Sequence, residues 1–305
     1  MIKIAVCGFG TVGQSFVNHV SKYQDKIIHN CGHDISISII ADRSIDKKKF
    51  ENDQIKFTSD IMSVVDSDCD LIVELIGGTD ISFNLVKEAI KKKKGVITAN
   101  KALIAEHGDE ILGLAFENNT YVGYEAAVAG AIPIINVLKH NMLNENIISI
   151  SGIINGTCNY ILTQMEKEER EYIEVFKKAQ QLGFVEKDPT LDVGGIDTAH
   201  KISLLTACAF GTRINFENVV TKGIQNVSLI DIKNAGSMGY KIKLMALSSK
   251  SEDGITQEVE PCLVPKDSIF GKLEGGTNLV MVEGDCSEKT YYMGPGAGSG
   301  PTASA

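Results

Sequence analysis

At 305 residues and 33.0 kDa, with 43% apolar and 23% charged side chains, the chain has the length for two domains and the apolar content for a sizeable core. A formal net charge of -9 and a pI near 5.2 exclude a nucleic-acid or anionic-membrane surface, since either requires clustered positive charge. The balance suits an enzyme for small metabolites. Two lysine runs, 47–49 and 91–94, depart from it. The second closes a helical pattern, where cations complement the carbonyl end, and is expected to be a solvated face.

No apolar run reaches the roughly 18 residues of a membrane span, and the N-terminal MIKIAVCGFG enters a strand pattern with no cleavage site. The expected location is the cytoplasm. Seven cysteines without a C-x-x-C pair are expected as reduced core thiols, with Cys158 a packing residue rather than a nucleophile. The histidines have no metal-ligand spacing and are assigned no chemistry.

In chain order, an apolar strand pattern at 3–7 runs into Gly8-Phe9-Gly10-Thr11-Val12-Gly13, followed by a helical pattern through Phe16, Val17 and Val20. This is G-x-G-x-x-G between a strand and a helix, where glycines let the backbone approach a pyrophosphate and the helix N-terminus offers unpaired N–H groups. A second apolar run, 35–41, ends in Asp42-Arg43, where such a fold reads the adenosine ribose. Asp42 would accept from a free 2′-hydroxyl and Arg43 would pair with a 2′-phosphate, so NAD and NADP both stay open. The distance from Gly13 exceeds the usual spacing of about 20 residues, which keeps a plain loop cap as the competing role.

A buried strand pattern then ends in Gly77-Gly78, a helix is expected over 80–93, and a further strand ends in Asn100-Lys101. Ligands of an open parallel sheet lie at the carboxyl ends of its strands, so Gly77, Gly78, Asn100 and Lys101 are expected to face one crevice. A helix over 102–118 and a short strand over 121–124 complete a dinucleotide-binding domain, residues 1–125.

A strand over 147–154 leads into the turn Asn155-Gly156-Thr157, a helix over 158–166, and a second helical pattern through Tyr172, Val175, Phe176, Ala179 and Leu182 that stops at Gly183. Glu186 and Asp192 follow on a loop, and a third helix begins near Asp197. Asp197 and Lys201 are i,i+4 neighbours, with Ile202, Leu205 and Ala209 as the buried stripe. Such a pair is ordinarily an exposed ion pair contributing a few tenths of a kcal/mol. Here the surrounding acids suggest a carboxylate-rich pocket fit for an ammonium group, with a partly desolvated lysine able to protonate a carbonyl oxygen. Beyond Gly211 come strand patterns at 240–248, 255–264, 278–284 and 289–293. The alternation of Lys241 and Lys243 with Ile242 and Leu244 suggests a sheet with one face on the helices. Its apolar surfaces, with the helix after Pro133, are the expected dimer contacts.

Taken together, GFGTVG, ELIGG, TANKALIA, YEAAVAGAIPII, GIINGTCNYILT, EKDPTLDVGGIDTAHK and GPGAGSGPTASA resemble homoserine dehydrogenase along nearly the whole chain. The resemblance implies an α/β chain: a Rossmann-type nucleotide-binding domain plus an α+β domain for substrate and dimerisation, residues 126–293. A glycine-rich loop, 294–305, would return to the cofactor with Gly298 at the nicotinamide. It implies interconversion of L-homoserine and L-aspartate 4-semialdehyde with NADP or NAD, on the route to threonine, methionine and isoleucine, by a homodimer. Lys201 would be the proton donor and is counted with Lys101 and Asp197 as catalytic, Lys101 would contact cofactor and substrate, and Asp192 and Asp197 would support binding of the substrate amino group. Glu186 would bind the substrate amino group, and Thr157 is counted with the substrate-binding residues. The segment 124–133 is implied to hold a monovalent cation, with sodium the expected ion, through the Glu125 side chain and the carbonyls of Val128, Gly130 and Ile132. Oxygen-only ligation suits such a hard ion, although a hinge with an ordinary glutamate would look the same in sequence.

Two departures stand out. The family continues past TASA into a helix that packs on the nucleotide domain, so weaker closure and cofactor affinity are expected here, and with no ACT-type regulatory domain following, no threonine inhibition through one. Gly78-Thr79-Asp80-Ile81 also replaces the family's usual continuation after its glycine pair. The rivals are aspartate-semialdehyde dehydrogenase, which needs a cysteine nucleophile with a histidine partner, and a non-catalytic nicotinamide-nucleotide sensor, against which the retained acids and lysines argue.

Overall fold

The computed structural model describes residues 1–44, 54–181 and 190–305. The chain divides into two compact units, Met1–Gly130 with Gly298–Ala305, and Ala131–Ala297. In the first, β1 (Ile2–Cys7), β2 (Ile35–Ala41), β3 (Lys56–Thr58), β4 (Leu71–Glu74), β5 (Gly95–Thr98) and β6 (Val122–Gly123) form one parallel sheet in the order β3-β2-β1-β4-β5-β6. The order reverses between β1 and β4, which puts the switch-point crevice at their carboxyl ends, beside Gly8 and Gly77. Ala5, Val6, Cys7 and Ile72 are buried outright, the continuous burial that helices on both faces of a parallel sheet require.

Helix α1 (Thr11–Lys22) buries Gly13, Val17 and Val20, one face at helical spacing. Val17 and Val20 pack with Ile4, Val6, Ile37, Ile40 and Val73 in the core under the sheet. Helix α2 (Gln24–Cys31) buries none of its residues and ends at left-handed Gly32. Helices α3 (Asp80–Lys91) and α4 (Lys101–Glu117) complete the βα units. The lysine run after α3 is not a solvated face throughout. Lys94 is buried, and its ammonium donates to the carbonyls of Ser67 (2.5 Å) and Cys69 (2.8 Å) just ahead of β4.

The second unit opens with α5 (Ile134–Asn136), which runs into a π-helical turn, Val137–Asn141. It then contains β7 (Ile147–Ile153), α6 (Gly156–Glu168), α7 (Tyr172–Gln181), α8 (Thr190–Val193), α9 (Ile196–Phe210), β8 (Val220–Thr221), α10 (Leu229–Ser237), β9 (Tyr240–Ser251), β10 (Gly254–Pro265), α11 (Ile269–Lys272), β11 (Thr277–Gly284) and β12 (Glu288–Pro295). Its sheet is mixed, in the order β12-β11-β7-β9-β10-β8, antiparallel except for β10 with β8. Helix α9 crosses β7, β9 and β10. Every residue from Asp197 to Thr206 is buried, so α9 is a central helix rather than one with a single buried stripe.

Two further expectations change. Lys243 is buried, not on a solvated alternation, because its ammonium reaches Asn159 Oδ1 on α6 and the Leu273 carbonyl. The stretch 294–305 is not one loop: Gly294 and Pro295 end β12, and α12 (Ser299–Ser304) packs against α1 within the first unit. Cys7, Cys69 and Cys158 are core thiols, whereas Cys31 and Cys286 are exposed. Among the described residues no helix is long and apolar enough to cross a membrane.

Candidate active site

In the first unit, the glycines after β1 divide into two kinds. A Cβ on Gly8 would stand 2.3 Å from the Leu75 carbonyl oxygen and one on Gly13 would stand 2.1 Å from the Gly8 oxygen, so both are required for the strand–turn–helix to close. A Cβ on Gly10 would meet nothing within 4 Å. Packing does not explain glycine at this N-cap of α1, while close approach of a phosphate to the backbone does, and no side chain caps the helix there. The turn therefore fits a dinucleotide.

Asp42, at the end of β2, accepts the Phe9 N–H at 2.6 Å through Oδ2, and the Ser44 N–H and hydroxyl at 2.8 Å each through Oδ1. It thus caps its own loop and braces the glycine turn. Arg43 is exposed beside it. After β4 the chain passes through two left-handed glycines, Gly77 and Gly78, and the Gly78 carbonyl accepts from Asn100 Nδ2 at 2.6 Å. Asn100 Oδ1 caps α4 by accepting the Leu103 N–H, which sets Lys101 as the first residue of that helix. The fully buried Glu74, which the sequence did not single out, ties these ends together: its carboxylate accepts from the Ile76 N–H, Ser82 and Thr98. A charged residue closing an apolar run was the available signal. Gly298 precedes α12 in this same unit.

In the second unit, Lys201 on α9 is 8% exposed and Asp197 4%. The Lys201 ammonium donates to Asp197 Oδ2 at 2.7 Å and to the Ile154 carbonyl at 2.8 Å. Asn155 Nδ2 donates to Asp197 Oδ2 at 2.9 Å and to Asp192 Oδ1, from α8, at 2.8 Å. The i,i+4 pair is therefore a buried one within a network, and Asp192, Asp197 and Lys201 are brought together. Thr157, half-buried, follows in the first turn of α6, and Glu186 lies outside the described residues. Burial, reinforced by Asp192 and Asp197 and opposed by Lys201, holds the Cys158 thiol well above its usual range, so it stays protonated. Asn155, read from sequence only as a turn residue, is the link between the acids. Its one signal was Asn at a helix N-cap.

Of the residues assigned to a cation, Glu125 opens a short 3-10 turn and Val128 leaves it in extended backbone. Ala129 and Gly130 are both left-handed. The Ile132 carbonyl, in the second unit, accepts the Ile134 N–H at 2.8 Å.

Residues 8–125 match the family model for the homoserine dehydrogenase NAD-binding domain, and residues 133–305 match that for homoserine dehydrogenase. The chain is 40% identical over 304 residues to homoserine dehydrogenase of Pseudomonas aeruginosa, covering 99% of this chain and 70% of that protein. The crystal structure of a homoserine dehydrogenase from Thiobacillus denitrificans superposes with a TM-score of 0.97 at 40% identity, over 99% of this chain and 70% of that one. A hyperthermophilic archaeal homoserine dehydrogenase, solved in complex with NADPH, superposes with a TM-score of 0.85 at 26% identity, over 99% and 94%. With a parallel dinucleotide-type sheet, a glycine turn suited to phosphate and a buried lysine–carboxylate cluster, the chain belongs to the homoserine dehydrogenase family of oxidoreductases.

Proposed function

We propose that the chain interconverts L-homoserine and L-aspartate 4-semialdehyde with NADP or NAD, and that Lys201 carries the proton at the carbonyl oxygen. The observation that carries this is the commitment of two of the three ammonium N–H groups of Lys201, to Asp197 and Ile154, which leaves one for a substrate oxygen. In the reducing direction that N–H bond breaks, its electron pair stays on nitrogen, and the O–H bond of the alcohol forms; oxidation runs the transfer backwards. The nicotinamide nucleotide, when bound, supplies or accepts the hydride at the adjacent carbon.

Asp192 and Glu186 would pair with the substrate ammonium, and Thr157 would hydrogen-bond the substrate. Lys101 would contact cofactor and substrate. The archaeal relative's NADPH complex supports a nicotinamide nucleotide as the cofactor, and Gly8–Gly13, Asp42, Arg43, Gly77, Gly78, Lys101 and Gly298 would hold it. Sodium would take Glu125 and the carbonyls of Val128, Gly130 and Ile132. The set fits by chemistry, because it is all oxygen and Ile132, though accepting Ile134, retains a second lone pair. Turnover in sodium-free buffer, in wild type and Glu125→Gln, tests that site. Tyr291 and Met293, exposed on one face of β12, support a homodimer, tested by sedimentation. Growth rescue of a homoserine auxotroph tests the assignment to cytoplasmic threonine, methionine and isoleucine synthesis.

The deciding experiment mixes the protein with L-homoserine and NADP or NAD in alkaline buffer and follows reduced nucleotide. Lys201→Met should lower kcat by about 10²- to 10⁴-fold with nucleotide affinity kept. A fully active variant refutes the proton carrier. Nucleotide binding without turnover in the wild type favours the sensor.

A further inference from the structure

Between β7 and α6 the chain passes through Ile154 and Asn155, both buried. The Ile154 carbonyl accepts from Lys201 at 2.8 Å and from Asn278 Nδ2 at 3.2 Å, so this backbone holds the lysine from one side. The Asn155 side chain, 4% exposed, works from the other. Its Oδ1 accepts the Cys158 N–H at 2.8 Å as the N-cap of α6, which fixes which end of the amide points where. Its Nδ2 therefore faces the two carboxylates, Asp192 Oδ1 at 2.8 Å and Asp197 Oδ2 at 2.9 Å.

Capping needs only the oxygen. Asn, Asp and Ser all cap a helix well, but of the three only Asn also supplies two N–H donors. Those donors are spent where two like charges approach one another, and one of the acceptor atoms, Asp197 Oδ2, is also the atom that holds Lys201. We infer that Asn155 is a positioning residue of the reaction: its amide bridges Asp192 and Asp197 and, through Asp197, aims the Lys201 ammonium. This rests on the proposed role of Lys201.

The experiment compares Asn155→Ser, Asn155→Asp and Asn155→Ala with wild type and Lys201→Met. Thermal melts are recorded, with kcat and KM for L-homoserine and for the nucleotide. Turnover is expressed per nucleotide-binding site, so a less stable variant still reports on its folded fraction. Asn155→Ser keeps a cap and loses the bridge. Its melting temperature should fall, because two carboxylates lose a donor, but should stay above that of Asn155→Ala, which loses the cap as well, and its kcat should fall roughly 10²-fold, the cost of a misplacement of about 1 Å. Its KM for the nucleotide should not change. Asn155→Asp keeps the cap and the shape but sets a third carboxylate against two, so it should not rescue turnover. Asn155→Ala should lose both melting temperature and kcat.

If either capping variant retained kcat within about threefold of wild type, Asn155 would be a cap alone and the inference would be overturned. Lys201→Met separates the two claims. Should that variant stay active, the proton-carrier reading fails; should it be dead while Asn155→Ser turns over normally, only the role of Asn155 fails.

Discussion

The glycine turn after β1 allows a prediction in which neighbouring substitutions of one kind act on different properties. Gly8→Ala adds a Cβ 2.3 Å from a backbone oxygen at a φ of +98°. Left-handed backbone costs an L-residue about 1–2 kcal/mol, and a backbone contact that close must be relieved by moving β1 against β4, so a loss of several kcal/mol is expected. Gly13→Ala meets the Gly8 oxygen at 2.1 Å, with a similar outcome. Against a total stability of about 5–15 kcal/mol, either change should lower the melting temperature sharply. Gly10→Ala differs: its φ is -76° and no atom lies within 4 Å of the added methyl. The gain of about 0.4–1 kcal/mol through the unfolded state is offset by the poorer N-cap that alanine makes, so stability should change by no more than about 1 kcal/mol. What it should lose is nucleotide affinity, by an order of magnitude or more, because the methyl occupies space assigned to a phosphate. Thermal melts paired with a fluorescence titration of NADP separate the two effects. If Gly10→Ala bound nucleotide like wild type, or Gly8→Ala melted like it, the division of the turn into closure and ligand glycines would be wrong.

Two lysines supply the remaining predictions. Burial, with repulsion from Lys241 second, lowers the Lys243 pKa from 10.5 to about 8, so the unfolded chain holds more protons across that window and stability rises with pH there. Relative to Lys243→Met, the wild type should gain up to about 3 kcal/mol between pH 8 and 10.5 and nothing below it, read from denaturant melts at several pH values; a difference independent of pH would refute this. Lys94→Met takes the ammonium donor from the Cys69 carbonyl and from the Ser67 carbonyl, which keeps the Cys69 N–H, and should cost about 1–3 kcal/mol, whereas Lys91→Met, which breaks an exposed i,i+3 pair with Glu88, should cost less than about 0.5 kcal/mol. Equal losses would mean that the run is one solvated face after all.

What was legible in the sequence was local. The glycine turn, the apolar parallel strands and the long strands from 240 onward announce themselves by spacing, and they appear where the spacing puts them, within a few residues. Helix α2 buries nothing, so no apolar stripe marked it. Helix α10 leaves little trace in the sequence although Ser228 and Asp231 form a capping box, because nine residues with two buried positions give little periodicity. The burial of Lys94 and Lys243 is hidden in the sequence for another reason: their acceptors lie 25 to 84 residues away, at Ser67, Cys69, Asn159 and Leu273, and no window around a lysine contains that information. Asp197 and Lys201 have the same spacing whether they face water or the core. Only the helix's position across the sheet decides between an exposed pair and a buried one.

That position also constrains what the cluster can hold. Removing an ammonium and a carboxylate from water costs several kcal/mol each, so a buried pair persists only with its hydrogen bonds supplied. Here they come from fixed parts: the Ile154 carbonyl at the end of β7 and the Asn155 amide at the start of α6. Asp192 joins through the same amide. Burial first, and then the two aspartates, push the pKa of the neighbouring Cys158 thiol up against the pull of Lys201, so the thiol stays protonated and adds no charge of its own. If Asp192 pairs with the substrate ammonium as proposed, kcat/KM for an amino-acid aldehyde should exceed that for an unsubstituted one, and equal values for the two would refute that pairing.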